Sequence, residues 1–246
     1  MVALYLRAGD HALAISLLSE GSQLPVTSEA AVEMRRKAAR IAAEQLEDNK
    51  RAIVLYRSLL ADAPEDVESI RDFARICREE GLNLELLSLL KRELALCDES
   101  EVKLELRLDI ARLIGTFENL GGRLDMLKVN LEEHPGHKAT IGAIIDFHEE
   151  VGLFKELADV LTDQATLLER EGKTESAAEL WRKIATVAEE KLADKDRAIH
   201  CFQRVQKLIG SVASLDALAR LQLEQGEHGA AARWLERRLN VTEGND

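Results

Sequence analysis

Apolar residues recur along this chain at spacings of three and four, not two, which is the signature of helices with one buried face. In residues 82–96, for example, Leu86, Leu87, Leu90 and Leu94 make a single stripe. Breakers separate such runs. Pro25, Pro64 and Pro135 each follow an apolar-periodic segment, and Gly9, Gly81, Gly152, Gly172, Gly210 and Gly226 fall between segments. The pattern predicts fourteen helices and no strand, over 1–8, 10–21, 27–47, 48–62, 65–80, 82–97, 99–117, 119–133, 136–150, 153–170, 173–193, 195–209, 211–225 and 227–241.

The pattern also repeats. Ala52-Ile53 followed by Tyr56 reappears as Ala198-Ile199 with Phe202 and as Ala14-Ile15 with Leu18. Extending the register gives a column of large apolar residues: Leu18, Tyr56, Leu90, Leu127, Leu161, Phe202 and Leu235. Its intervals of 38, 34, 37, 34, 41 and 33 residues fit a repeat of about 34 with an insertion in every second copy. A second column, Arg36, Ile70, Arg107, Ile141, Arg182 and Leu215, alternates arginine with aliphatic residues. The true unit is therefore expected to be a double repeat near 72 residues, the distance from Gly9 to Gly81.

With these residues in view, the chain resembles the tetratricopeptide-repeat family. The copies Ala8-Gly9-Asp10-His11-Ala12-Leu13-Ala14-Ile15 and Gln225-Gly226-Glu227-His228-Gly229-Ala230-Ala231 carry the family's turn and small-residue slot, and Ala52 with Tyr56 and Pro64 matches from that slot onward. Leu86, Arg123 and Leu157 depart from the pattern by filling the small slot, so packing there is expected to be looser or shifted. The resemblance implies an all-α, right-handed superhelical solenoid of about seven antiparallel helix pairs. It would be a single array over 1–246, with the first helix of each pair lining a concave face. Trp234, Leu235 and Leu239 leave an apolar surface in the last copy, which points either to a fragment of a longer array or to end-to-end self-association.

Composition narrows the partner. A chain with 46% apolar and 32% charged residues can build a core. With Lys plus Arg at 33 against 45 Asp plus Glu, its net charge of -12 argues against a nucleic-acid partner. Three prolines and 4% aromatics disfavour an all-β fold. Cys77, Cys97 and Cys201 are too sparse for a disulfide framework or a zinc site. No apolar run is long enough to span a membrane and no leader pattern opens the chain, so a cytoplasmic location is expected.

Catalytic, cofactor and metal chemistry find little support. Gly172-Lys173-Thr174 resembles the tail of a phosphate loop, but Leu167 stands where a glycine is needed, and Thr174 is expected to cap a helix instead. His134 and His137 flank Pro135-Gly136 without further ligands. His148 sits beside Asp146, Glu149 and Glu150, which read as an acidic helix face.

Function is expected on the concave face. Arg71, Arg75 and Arg78 share one helix face, and the register adds Lys37, Arg112, Lys183 and Arg220 as cations and Asp146, Glu149 and Glu150 as anions. The competing reading pairs the arginines with Glu68, Glu79 or Glu105. The family's carboxylate clamp is excluded, because Ile41 and Ala38 stand where asparagine is wanted. These residues point to a non-catalytic, cofactor-free scaffold binding a protein segment, with an acidic segment as one expectation, and the family resemblance alone implies that it serves an assembly, motility, secretion or signalling system. An RNA-binding helical array and a peptide-sensing module are the alternatives.

Overall fold

A computed structural model describes residues 1–116 and 120–243. It divides into two compact units, Met1–Arg123 and Leu124–Asp246. The first holds α1 (Val2–Ala8), α2 (His11–Gly21), α3 (Ser28–Glu44), α4 (Asn49–Asp62), α5 (Val67–Glu79), α6 (Asn83–Leu96) and α7 (Ser100–Gly115). Helix α8 (Leu120–Glu133) begins there and continues into the second unit. The second unit adds α9 (Lys138–Val151), α10 (Phe154–Arg170), α11 (Thr174–Glu190), α12 (Lys195–Ile209), α13 (Val212–Glu224) and α14 (His228–Glu243). The described residues contain no strand.

Within each unit, successive helices pack on one another, α1 through α7 in the first and α9 through α14 in the second. The turns inside the pairs come in two kinds. Gly9, Gly81, Gly152 and Gly226 close α1, α5, α9 and α13 in the left-handed region, with φ between 68° and 82°. There the following backbone N–H reaches back five residues, as from Leu82 to the Cys77 carbonyl at 2.8 Å. A Cβ would strain this conformation.

The wider kind follows α3 and α11. The segments Leu46-Glu47-Asp48 and Leu192-Ala193-Asp194 place non-glycine residues, Glu47 and Ala193, at φ 52° and 53°. Each aspartate donates its N–H six residues back, Asp48 to Ala42 at 2.9 Å and Asp194 to Ala188 at 2.8 Å. Each then caps the next helix, accepting from Arg51 N at 3.0 Å and Arg197 N at 2.9 Å. Residues 117–119, between α7 and α8, lie outside the described residues. First helices alternate accordingly: α3, α7 and α11 have 17, 16 and 17 residues, and α5, α9 and α13 have 13, 14 and 13. The double repeat expected from the column spacing is thus a structural unit.

The apolar column is buried at Leu18, Tyr56, Leu90, Leu127 and Leu161. Two positions differ. Phe202 is half-buried, because Cys201 and Val205 take the innermost places on α12 while Phe202 packs at the cluster's edge. Leu235 is exposed, since no described helix covers that face of α14. Leu86 and Leu157 are buried despite filling the small slot. Thr174 is not a cap: Lys173 takes that position, and Thr174 begins α11 with its hydroxyl donating to Glu175.

Burial sets the behaviour of the three thiols. It pushes Cys77 up to about 12 and Cys201 up to about 11, from an ordinary 9.0. Cys97 is half-buried at the end of α6. In native protein near pH 8, a thiol reagent should therefore consume one thiol fast and two only on unfolding, and Cys97→Ser should abolish the fast phase. The raised values also fix a sign. Above pH 9 the unfolded thiols ionise while the folded ones stay protonated, so stability should fall as pH rises toward 12.

Candidate functional site

The first helices of successive pairs are joined by arginine–carboxylate contacts at the repeat spacing. Arg36 of α3 reaches Asp66 at 2.5 Å, Glu68 at 2.8 Å and the Ser69 hydroxyl at 3.4 Å, all at the start of α5. Arg40, one turn on, takes Asp72 at 2.6 Å and Glu68 at 3.2 Å. Burial works against the Arg36 charge, yet Asp66, Glu68 and Glu33 together hold its pKa above the ordinary value. Two first helices three residues out of register could not meet this way, so the contacts fix how α3 lies against α5.

The arginines expected on the concave face have carboxylate partners. Arg71 donates to Glu93 of α6 at 2.6 Å. Arg75 pairs with Glu79 at 3.1 Å and approaches Glu44 of α3 at 3.9 Å. Arg78 reaches Asp109 of α7 at 2.9 Å, and Arg112 takes the same carboxylate at 3.0 Å. The pairs differ in strength. Arg75, Arg78 and Arg112 are half-exposed or more, where such pairs contribute about 0–1 kcal/mol. Glu93 is buried, so removing Arg71 would strand a carboxylate away from water.

In the second unit Lys183 of α11 bonds Glu149 of α9 at 3.0 Å. Arg220 of α13 forks onto Glu189 at 2.6 and 3.0 Å and touches Glu224 at 3.1 Å. The Glu189 hydrogen bond leads in raising the Arg220 pKa, and hydrogen bonds from Lys195 and Arg220 lower that of Glu224. Asp146, Glu149 and Glu150 are exposed on α9. The neighbouring His148 is buried, with Nδ1 2.8 Å from the Ile144 carbonyl oxygen.

Lys37 is the exception among the expected cations. It is exposed and makes no ion pair among the described residues. It lines a cavity of about 450 Å3 between α1, α2 and α3, with Leu6, His11 and the α3 residues Glu33, Arg40, Ile41 and Glu44. Glu33, Lys37, Arg40 and Glu44 recur at four, three and four and so share one face of α3. His11, which the sequence presents only as part of the turn motif, opens α2 directly after Gly9-Asp10 and is thereby placed in this lining.

Among the described residues no group of three His, Cys, Asp or Glu side chains could hold a metal ion. His137 instead caps α9, its Nδ1 2.9 Å from the Thr140 hydroxyl. No described helix is long and apolar enough to cross a membrane.

No protein-family model matches the chain, and no curated protein does. Among solved structures, one of Naa15/Naa10 bound to HypK-THB is similar with a TM-score of 0.58 at 15% identity, covering 98% of this chain and 35% of that one. A tetratricopeptide repeat protein from Parabacteroides merdae is 14% identical with a TM-score of 0.45, covering 97% of this chain and 90% of that one. BtubC from P. vanneervenii is 13% identical with a TM-score of 0.42, covering 89% and 92%. With paired helices, turns at a period near 34 and a match along nearly its full length, the chain has a tetratricopeptide-like helical-repeat fold.

Proposed function

We propose that this protein is a non-catalytic scaffold whose first helices form a groove for a segment of a partner protein. The carrying observation is the cavity beside Lys37, where an unpaired ammonium lies next to the apolar Leu6 and Ile41. A partner segment with an acidic residue beside an aliphatic one suits that combination. Arg75, Arg78 and Arg112 would exchange their exposed carboxylate partners for the segment's, at little cost. Arg71 would stay with Glu93. In the second unit, Lys183 and Arg220 would act as Arg75 does, and Asp146, Glu149 and Glu150 would favour a basic stretch. Support of a general kind comes from the likeness to a solved chain that belongs to a complex of proteins. A cytoplasmic assembly, motility, secretion or signalling system is the setting this reading favours.

The test starts from affinity capture with the wild-type chain, identification of the captured protein, and measurement of its purified affinity. Lys37→Glu should weaken binding about tenfold or more, and wild-type affinity should fall as salt rises. Because Lys37 is exposed and unpaired, the thermal midpoint should hardly move. Unchanged affinity in Lys37→Glu would remove the groove reading.

A further inference from the structure

Among the first helices closed by a glycine turn, α5, α9 and α13 can be compared position by position. Ten residues before the turn glycine stand Arg71, Gly142 and Asp216. In two of the three, this position bridges to the second helix of its own pair, 22 residues further along. Arg71 donates to Glu93 of α6 at 2.6 Å, and Asp216 pairs with Arg238 of α14 at 2.5 Å. In α9 the bridge is missing. Gly142 has no side chain to make it, and Gln164 of α10, which stands where Glu93 and Arg238 do, accepts instead from the Gly136 N–H at 3.0 Å.

A glycine in the middle of a helix is destabilising relative to alanine, and no described neighbour requires one here. Gly142 lies within α9 on ordinary helical backbone, and a Cβ would meet nothing within 4 Å. Beside it is a cleft of about 230 Å3 between α9, α10 and α11, walled by Ile141, Ile145, Leu168 and Leu180. Lys138 and Glu179, also in its lining, pair at 3.4 Å.

The charge pattern changes at the same place. One turn beyond the compared position, α5 and α13 carry Arg75 and Arg220, each paired with a glutamate four residues on, Glu79 and Glu224. There α9 carries Asp146, followed four residues on by Glu150, a like charge that cannot neutralise it. Asp146 is exposed and has no hydrogen bond or ion pair among the described residues. An apolar cleft and an unmatched carboxylate thus adjoin on one helix.

Resting on the reading that the first helices take a partner segment, we propose that one aliphatic side chain of that segment seats over Gly142, with a lysine or arginine of the same segment paired to Asp146. The bare backbone at Gly142 lets the segment approach closely. The four apolar walls remove the aliphatic side chain from water. Asp146 rejects an acidic segment and selects a basic one, the opposite preference to the cavity beside Lys37.

Peptides selected from a displayed random library on the intact wild-type protein are the probe. One group of them should carry an aliphatic residue next to, or one residue from, a lysine or arginine. A synthetic copy should bind Gly142→Leu and Asp146→Lys about tenfold or more weakly than wild type. Exchanging its basic residue for glutamate should restore binding to Asp146→Lys. Gly142→Leu should keep wild-type helicity, and Gly142→Ala should raise the denaturation midpoint while still weakening the peptide. A library that yields no such group, or peptides that bind Gly142→Leu and Gly142→Ala as well as wild type, would overturn the proposal. Peptides weakened by Lys37→Glu alone would overturn it while leaving the groove beside Lys37 standing. Peptides weakened by Gly142→Leu alone would uphold it and remove that groove.

Discussion

Replacing Tyr56 by alanine is expected to destabilise the first unit by about 3–5 kcal/mol, the range for a large aromatic lost from a packed core. Its side chain is fully buried, its ring lies on Phe73 at 5.7 Å and 13°, and its hydroxyl donates to Asp72 at 3.2 Å. Burial, with Asp72 beside it, raises the phenol pKa, so the hydroxyl stays a donor. Tyr56→Phe keeps the ring and leaves Asp72 with Arg40 at 2.6 Å, so it should cost only about 0.5–1.5 kcal/mol. Denaturant unfolding of both variants supplies the two numbers. Contacts in repeat folds are local, so hydrogen exchange should accelerate in α3–α6 more than in α11–α14. Equal costs for the two variants would show that the ring stack is not what holds α4 to α5.

Gly136→Ala should be nearly as damaging, at about 2–5 kcal/mol, for a different reason. Gly136 has φ 76°, which costs an L-residue about 1–2 kcal/mol. A Cβ there would also stand 2.5 Å from Leu168 Cδ2, and Leu168 is buried, so the side chain must move within a packed core at a further ~1–3 kcal/mol. Gly152 is the control. Its φ is also 76°, but a Cβ meets nothing within 4 Å, so Gly152→Ala should show the backbone cost alone. The gap between the two denaturation midpoints measures the Leu168 contact, and no gap would refute it.

Much of the fold was legible because helix periodicity, proline and glycine are local signals. The doubling of the repeat was also legible, from intervals between equivalent residues. What escaped was local geometry without a residue signature. The span expected to run to residue 47 ends at Glu44, because the turn holding Glu47 at φ 52° uses no glycine to announce itself. The candidate site was harder still. Of the carboxylates expected for the arginines, Glu79 does pair with Arg75, but Arg71 and Arg78 take Glu93 and Asp109, which lie 22 and 31 residues away. Such partners follow from how helices stack, and periodicity fixes which face a side chain is on without fixing its neighbour. The exposure of Leu235 follows the same logic, since its register is correct and its cover depends on another helix.

The two kinds of turn constrain how arrays of this type can lengthen or shorten. Removing the single pair α3–α4 would set a short first helix after a pair that is built to meet a long one. Removing α3–α6 brings α7, of 16 residues, to the place of α3, of 17, so the new junction matches the old in kind. Duplication or deletion in whole four-helix cassettes therefore keeps first-helix lengths matched at the new junction, and half-cassette changes do not. On this view the heritable module of the chain is the cassette, and copy number should change across descendants in steps of about 72 residues, the distance from Gly9 to Gly81.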